Sequence, residues 1–267
     1  MSNSVTNRRT EWLQVVVACI VLLSVGALAQ TPQSIWLQHP DLNTEKQKSP
    51  VHADPSQEAA GQAVSIARLR VPHKARELYQ KAEKTFLKHE YAEAQQKLNQ
   101  ALQQYPAYPE ALTMSGYIQM DTNQWSSAER SLQAAVRSDQ TFALAFLVLS
   151  ELYNRERRFD DALAVSQRAV QLIPNAWSAK YQTCRALIGK HQYELALNVS
   201  EAALRGNRGT LLHIAKAHAL LGLGRYAEAA TELRIYLQYQ PTGEGSQDAH
   251  DLLAKIQNAY STCRDCR

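Results

Sequence analysis

The chain has 267 residues, 45% of them apolar and 20% charged, with a formal net charge of +4. Such a chain can bury a substantial core, which excludes wholesale disorder. Its positive charge is too mild and too dispersed for a nucleic-acid face, which needs clustered basic residues.

The first thirty residues read as an address. Arg8 and Arg9 precede an uncharged stretch from Trp12 to Gln30 with an apolar core at Val15–Leu23. Ala27, Leu28 and Ala29 then form an A-x-A cleavage signal, so residues 1–29 are expected to be a secretory signal peptide and Gln30 the new N-terminus. Left uncleaved, the same stretch would be an N-terminal membrane anchor. Export to the periplasm or cell envelope, or secretion, follows from this reading. Glu11 interrupts the pattern that twin-arginine export wants, and no Cys follows the cleavage site as a lipoprotein would need. Without residues 1–29 the mature chain holds 27 basic and 24 acidic residues, a net charge of +3.

Residues 30–72 read as a Pro- and Gln-containing linker, punctuated by Pro32, Pro40, Pro50 and Pro55. Val64, Ile66, Leu69 and Val71 near its end suit a short strand or a helical turn, and Pro72 suits the start of a helix.

From Ala75 onward the sequence repeats itself, in a stretch dominated by the helix formers Ala, Leu, Gln and Glu. Aromatic residues recur at Tyr91, Trp125, Phe159, Tyr193 and Tyr226, at intervals of 34, 34, 34 and 33. Three residues after each stands an alanine: Ala94, Ala128, Ala162, Ala196 and Ala229. A second small-residue ladder follows at Ala101, Ala135, Ala169 and Ala203, with Tyr236 as its exception, and Leu102, Val136, Val170, Leu204 and Leu237 stand beside it. Nine places before each aromatic stand Ala82, Gly116, Ser150, Cys184 and Ala217. Pro106, Pro174 and Pro241 close units one, three and five.

These ladders predict pairs of antiparallel helices, for example over 109–121 and 125–138. Gly116 and Ala128 are expected to let the two backbones approach, with Trp125 filling the wedge between them. One unit cannot bury its own apolar face, so neighbours must stack to complete the core. Residues 242–260 are expected to close the array with a capping helix. Its apolar stripe is Ala249, Leu252, Leu253, Ile256 and Tyr260, with Gly243 and Gly245 breaking the chain before it and Ser246 as N-cap.

The repeat resembles the tetratricopeptide repeat (TPR) over residues 75–241. The stretches His89-Glu90-Tyr91-Ala92-Glu93-Ala94 and Gly224-Arg225-Tyr226-Ala227-Glu228-Ala229 carry the likeness best. Units four and five depart most, with Lys180 and His213 where an early aromatic belongs, and unit four is one residue short near Gly206–Gly209. The resemblance implies an all-α, right-handed solenoid of five repeats over residues 73–241. The stretch Ser65-Ile66-Ala67-Arg68-Leu69-Arg70-Val71-Pro72 leading into the repeats resembles exported bacterial proteins of this kind.

No catalytic grouping, phosphate-binding loop or metal site can be assembled from the sequence, and no cofactor is expected. Cys184 sits on a small-residue ladder and is expected to be a buried, inert thiol. The tail, residues 261–267, holds Cys263 and Cys266, expected in an oxidising compartment to form a local or intermolecular disulfide. His213 and His218, five apart on a helix, do not share a face for a metal.

The family binds partners along the faces of its first helices that line the concave groove. Carried onto this sequence, that face comprises Tyr79, Glu83 and Phe86; Thr113, Tyr117 and Met120; Leu147, Glu151 and Asn154; Tyr181, Arg185 and Ile188; Ile214, His218 and Leu221. The set holds one Arg and one Asn, so it lacks the pattern that grips a C-terminal carboxylate. The expected function is a non-catalytic scaffold or adaptor for a protein or peptide partner, without nucleic acid, and at a membrane only if the N-terminal segment is retained. The competing readings are a thiol-redox protein using Cys263 and Cys266, and a regulatory accessory subunit of an envelope enzyme or secretion complex.

Overall fold

A computed structural model describes residues 70–206, 209–242 and 245–264. Among them are eleven α-helices and no strand. They pair as α1 (His73–Phe86) with α2 (Tyr91–Gln104), α3 (Pro109–Asp121) with α4 (Trp125–Ser138), and α5 (Ala143–Arg155) followed by α6 (Phe159–Leu172). Then come α7 (Trp177–Gly189), α8 (Tyr193–Gly206), α9 (Leu211–Gly222), α10 (Tyr226–Tyr239) and α11 (Ser246–Arg264). The aromatic ladder marks the first residue of every second helix, and α3 and α4 run where the repeat spacing placed them.

The chain divides into two compact units within α5, between Leu152 and Tyr153. In the first, α1 packs on α2, α2 on α3, and α3 on α4. In the second, α6 packs on α7, α7 on both α8 and α9, α9 on α8 and α10, and α10 on α11.

The small-residue ladders are core throughout. Ala82, Ser150, Cys184 and Ala217 are fully buried, as are Ala94, Ala128, Ala162, Ala196 and Ala229. A further ladder, not singled out from the sequence, lies four residues beyond those alanines: Leu98, Leu132, Ser166, Ser200 and Leu233, none of them exposed. Against Gly116 it is Leu132 that fills the seam. A Cβ on Gly116 would stand 2.6 Å from Leu132 Cγ and 3.2 Å from the Ala128 carbonyl oxygen. In unit four Cys184 takes the glycine's place, with its Sγ 3.6 Å from the Ala196 carbonyl oxygen, and Ser200 takes the leucine's. Bulk removed from one helix is thus added on the other, as close packing demands.

The role expected of Trp125 is therefore corrected: it is half-buried at the start of α4 and does not fill the wedge. Its counterparts show what the position does. The Phe159 ring lies on Gly189, near the end of the following first helix, and the Tyr193 ring lies on Gly222 in the same way. At Phe159 and Tyr193 the aromatic ladder joins a unit to the next, and Leu132 closes the seam within unit two.

Each first helix ends in the same turn. His89, Asn123, Arg157, His191 and Gly224 have φ between 58° and 74°, and the amide that follows each bonds back to the carbonyl five residues earlier. These are the features of a Schellman C-cap, with the left-handed residue at the position where glycine is favoured. Only the last unit places glycine there. A side chain in this conformation costs about 1 kcal/mol or more. Arg157→Gly is therefore expected to stabilise the chain by roughly 0.5–1 kcal/mol, read as a higher urea midpoint.

At the C-terminal end the first bond of α11 runs from the Ala249 amide to the Gly245 carbonyl. Gly245, at φ 76°, is thus the capping residue, and Ser246 is the first residue of the helix, not its cap. The helix continues beyond the expected 260 to Arg264. Ala249, Leu252 and Ile256 are buried, as the stripe predicted, and Leu253 packs on the same core.

Candidate functional site

The first helices differ from the second helices in how they are buried. In α8 only Ala196, Leu197, Ser200 and Ala203 are buried, which is one stripe. In α7 every residue from Tyr181 to Ile188 is buried, together with Ser178 and Ala179. Eight consecutive residues span more than two turns, so α7 is covered in every direction. The same holds for Ala217–Leu221 of α9 and for Ala111–Ile118 of α3.

The positions expected to line an open groove are consequently enclosed. Thr113 and Tyr117 have no exposed surface, Glu151 and Met120 retain 1%, and Leu147 and Tyr181 retain 2%. Tyr79, Phe86, Asn154, Arg185, Ile188, Ile214, His218 and Leu221 are buried as well, and only Glu83 is half-exposed. In the first unit Tyr79 packs on Tyr108 at 5.3 Å, and Tyr117 meets Phe86 edge-on at 5.6 Å. The Thr113 hydroxyl donates to the Pro109 carbonyl, 2.8 Å away.

In the second unit a polar group gathers on the first helices. Asn154 Nδ2 donates to the backbone carbonyl of Gln182 at 3.1 Å and to its side-chain oxygen at 3.0 Å. Arg185 donates to the same side-chain oxygen at 3.3 Å, and its guanidinium lies 5.9 Å from the Tyr181 ring centre. Asn154 Oδ1 and Ser178 Oγ are buried with no hydrogen-bond partner.

His218 stands beside this group with its Nδ1–H donating to the Ile214 carbonyl at 2.9 Å. Burial lowers its pKa from the ordinary 6.5, the nearby Arg185 charge adds to that, and the Ile214 carbonyl and Asp248 oppose it without prevailing. The folded imidazole therefore stays neutral at a pH where the unfolded one is already charged. From about 6.5 downward the unfolded chain binds the extra proton, so stability should fall as pH drops through that range toward the lowered folded value. Urea unfolding at neutral and mildly acidic pH measures this, and His218→Leu should flatten the decline.

A second, ionic cluster ties α8, α9 and α10 together on another side of α9. Lys216 lies 2.9 Å from Glu232 and 3.3 Å from Glu201, and His213 lies 2.7 Å from Glu232. Burial works against the Glu232 carboxylate, but His213 and Lys216 outweigh it and hold its pKa below the usual value. Lys216 is likewise pulled down by burial and raised on balance by Glu232 and Glu201. His213 and His218 thus serve different clusters. Among the described residues no three His, Cys, Asp or Glu side chains are grouped as a metal ion would need.

Cys184 is fully buried, and desolvation pushes its pKa up to about 12, which removes any thiolate character at neutral pH. Cys263 falls in the last turn of α11, while Cys266 and the proposed pairing lie outside the described residues. So do the expected signal segment and most of the linker. Among the described residues no helix is long and apolar enough to cross a membrane.

Residues 86–152 match the family described as tetratricopeptide repeat. The fold is that of the tetratricopeptide repeat. Among solved structures with this fold, the thermophilic TPR protein TTC0263 from Thermus thermophilus covers 70% of the chain and 98% of its own, at 20% identity and TM-score 0.57. YrrB, described as a TPR protein with an unusual peptide-binding site, covers 78% of the chain and 100% of its own, at 17% identity and TM-score 0.55. MamA from Desulfovibrio magneticus RS-1 covers 63% and 96%, at 15% identity and TM-score 0.55. In sequence, the anaphase-promoting complex subunit 3 of Schizosaccharomyces pombe is 26% identical over 173 residues, 64% of this chain. The chain spans only 25% of that relative's length.

Proposed function

We propose that this chain is a non-catalytic scaffold or adaptor that holds a segment of another protein against the faces of its first helices. The observation that carries the reading is the arc of α7 formed by Ser178, Tyr181 and Arg185. It mixes an aromatic ring, a fixed cation and a buried hydroxyl without a partner. The seams of a TPR core are built of small and apolar residues, and an arginine is neither. Rigid aromatics and arginine are the residue types that dominate protein recognition. The peptide-binding site described for YrrB and the complex membership of the anaphase-promoting complex subunit point the same way.

We place the work of the protein after export, in the periplasm or cell envelope or outside the cell. This rests on Arg8, Arg9, the Val15–Leu23 run and the A-x-A signal at Ala27–Ala29. Mass spectrometry of the chain from a cell-envelope fraction should find Gln30 at its N-terminus; an intact Met1 in the membrane fraction contradicts processing.

Binding is tested by capture of crosslinked partners from the native cell with Arg185→Leu. Removing a recognition arginine costs about 2 kcal/mol or more, so capture should fall at least tenfold. Far-UV circular dichroism should change little, and because Arg185 also bonds Gln182 the melting temperature is measured on the same samples so that capture is compared at equal folded fraction. Glu129→Ala with Arg130→Ala, on the second helix of unit two, should leave capture intact. Unchanged capture by Arg185→Leu rejects the assignment of this face.

A further inference from the structure

We propose that the outward side of α1 is a second docking surface, independent of the inner faces, and that its occupant is an acidic helix of a partner protein. That helix would lie where a second helix lies against the later first helices. The residue just ahead of each Ala82-ladder position marks the place. Ser115 of α3 accepts a hydrogen bond from Gln95 of α2 at 2.8 Å. The Thr183 hydroxyl of α7 donates to Ser166 of α6 at 3.0 Å. In α9 the residue is Lys216, whose Nζ lies 3.3 Å from a Glu201 carboxylate oxygen on α8. In all three the position turns to the second helix of the preceding repeat. In α1 it is Lys81, and Lys81 is exposed. The chain thus holds one packed lysine in this register, and a carboxylate on the neighbouring helix answers it.

The rest of this side agrees with Lys81. Lys74, Arg76 and Lys84 of α1, and Lys88 just beyond it, are exposed as well. Among the described residues none of these five cations has an acidic partner. The exposed carboxylate of α1 is Glu77, and it lies 3.7 Å from His73. One repeat after Lys74 and Lys84 stand Tyr108 and Ile118 of α3, which retain only 5% and 3% exposure. The side that α3 buries is therefore open and positively charged in α1. Covering it with an apolar partner would strip water from cations without compensation, whereas carboxylates offset that cost. Lys74, Lys81 and Lys88 recur every seven residues, so they follow one side of the helix for about 21 Å. That is the length of a 14-residue second helix such as α2 or α4. A single row of this length fits the ridge of one helix, and offers a flat bilayer only a line of contact. Leu87, 54% exposed beside Lys84 and Lys88, gives the occupant an apolar contact at one end.

The test uses the full chain and a stapled helical peptide carrying glutamates at heptad spacing along one face, flanked by leucines. Fluorescence anisotropy should show saturable binding that weakens about tenfold or more from low to high salt. Lys81→Gln with Lys84→Gln and Lys88→Gln should weaken it by about tenfold or more. Arg168→Gln with Arg234→Gln and Lys255→Gln removes three exposed cations from α6, α10 and α11 and should leave binding unchanged. Circular dichroism of both triple variants should match the parent, since all six side chains are exposed. Lys81→Glu with Lys84→Glu and Lys88→Glu should transfer binding to a peptide with lysine in place of each glutamate. No binding, equal loss in the two triple variants, or failure of that transfer overturns the proposal. So does equal binding of a proline-interrupted peptide with the same glutamates, or tighter binding of phosphatidylglycerol vesicles or duplex DNA. Arg185→Leu should leave the peptide bound, which keeps the two surfaces apart. If the peptide fails while capture still depends on Arg185, the surface on α1 falls and the inner face stands. If the peptide binds while capture ignores Arg185, the inner face falls instead.

Discussion

Leu132→Ala is expected to lower the stability of the first unit by about 2–5 kcal/mol, the range for buried leucines cut to alanine. Leu132 has no exposed surface, and its side chain occupies the space left by the missing Cβ of Gly116. Truncation empties the closest point between α3 and α4, and neither backbone can advance to refill it because Gly116 already lies near the Ala128 carbonyl. The reverse change, Gly116→Ala, sets a carbon 2.6 Å from Leu132 Cγ and should cost about 1–3 kcal/mol by overpacking. The informative result is the pair together. Alanine at both positions restores part of the lost volume, so the double variant should be more stable than the sum of the single losses, with a coupling of about 0.5–3 kcal/mol. Denaturant unfolding of the four proteins measures it. Strict additivity would place the seam elsewhere.

Tyr117→Ala should cost about 3–5 kcal/mol, as truncation of a buried aromatic does. Sequence reasoning put Tyr117 on a face open to partners. Its ring is instead fully enclosed and meets Phe86 edge-on at 5.6 Å, an arrangement worth about 0.5–1.5 kcal/mol beyond burial alone. A binding residue can be removed without harm to the fold, but this one cannot. The expected signature is a large drop in the unfolding midpoint, with any loss of partner capture following the unfolded fraction. Tyr117→Phe keeps the ring and should preserve most of the stability. A melting temperature unchanged by Tyr117→Ala would return the residue to the binding face.

The repeat was legible because its constraint is volumetric. A position that must be small in one unit must be small in all, so Ala94, Ala128, Ala162, Ala196 and Ala229 announce the period, and the helices follow from it. The partner ladder was harder to see. Leu98, Leu132, Ser166, Ser200 and Leu233 differ in size, with Leu132 answering Gly116 and Ser200 answering Cys184, and such compensation hides a position from a search for similar residues. The turns were missed for a related reason. Their left-handed residues are His89, Asn123, Arg157, His191 and Gly224, and only the last of these is a glycine. Backbone geometry is shared there while the side chain is free to vary. The enclosure of the inner faces was not legible because α5 and α9 are apolar nearly all round, so no polar side marks which direction is outward.

The five recurring caps have a consequence for how the chain acquires its structure. Each closes the end of a helix through bonds between residues five apart, and each sends the next helix back along the one just made. Contacts this close in sequence cost little loop entropy and form early. A chain released gradually from its N-terminal end can therefore set down one hairpin at a time, each offering its apolar side as a template for the next. Order in such a molecule can grow in the direction of synthesis, and a defect in one hairpin halts growth at that hairpin while leaving those already formed in place.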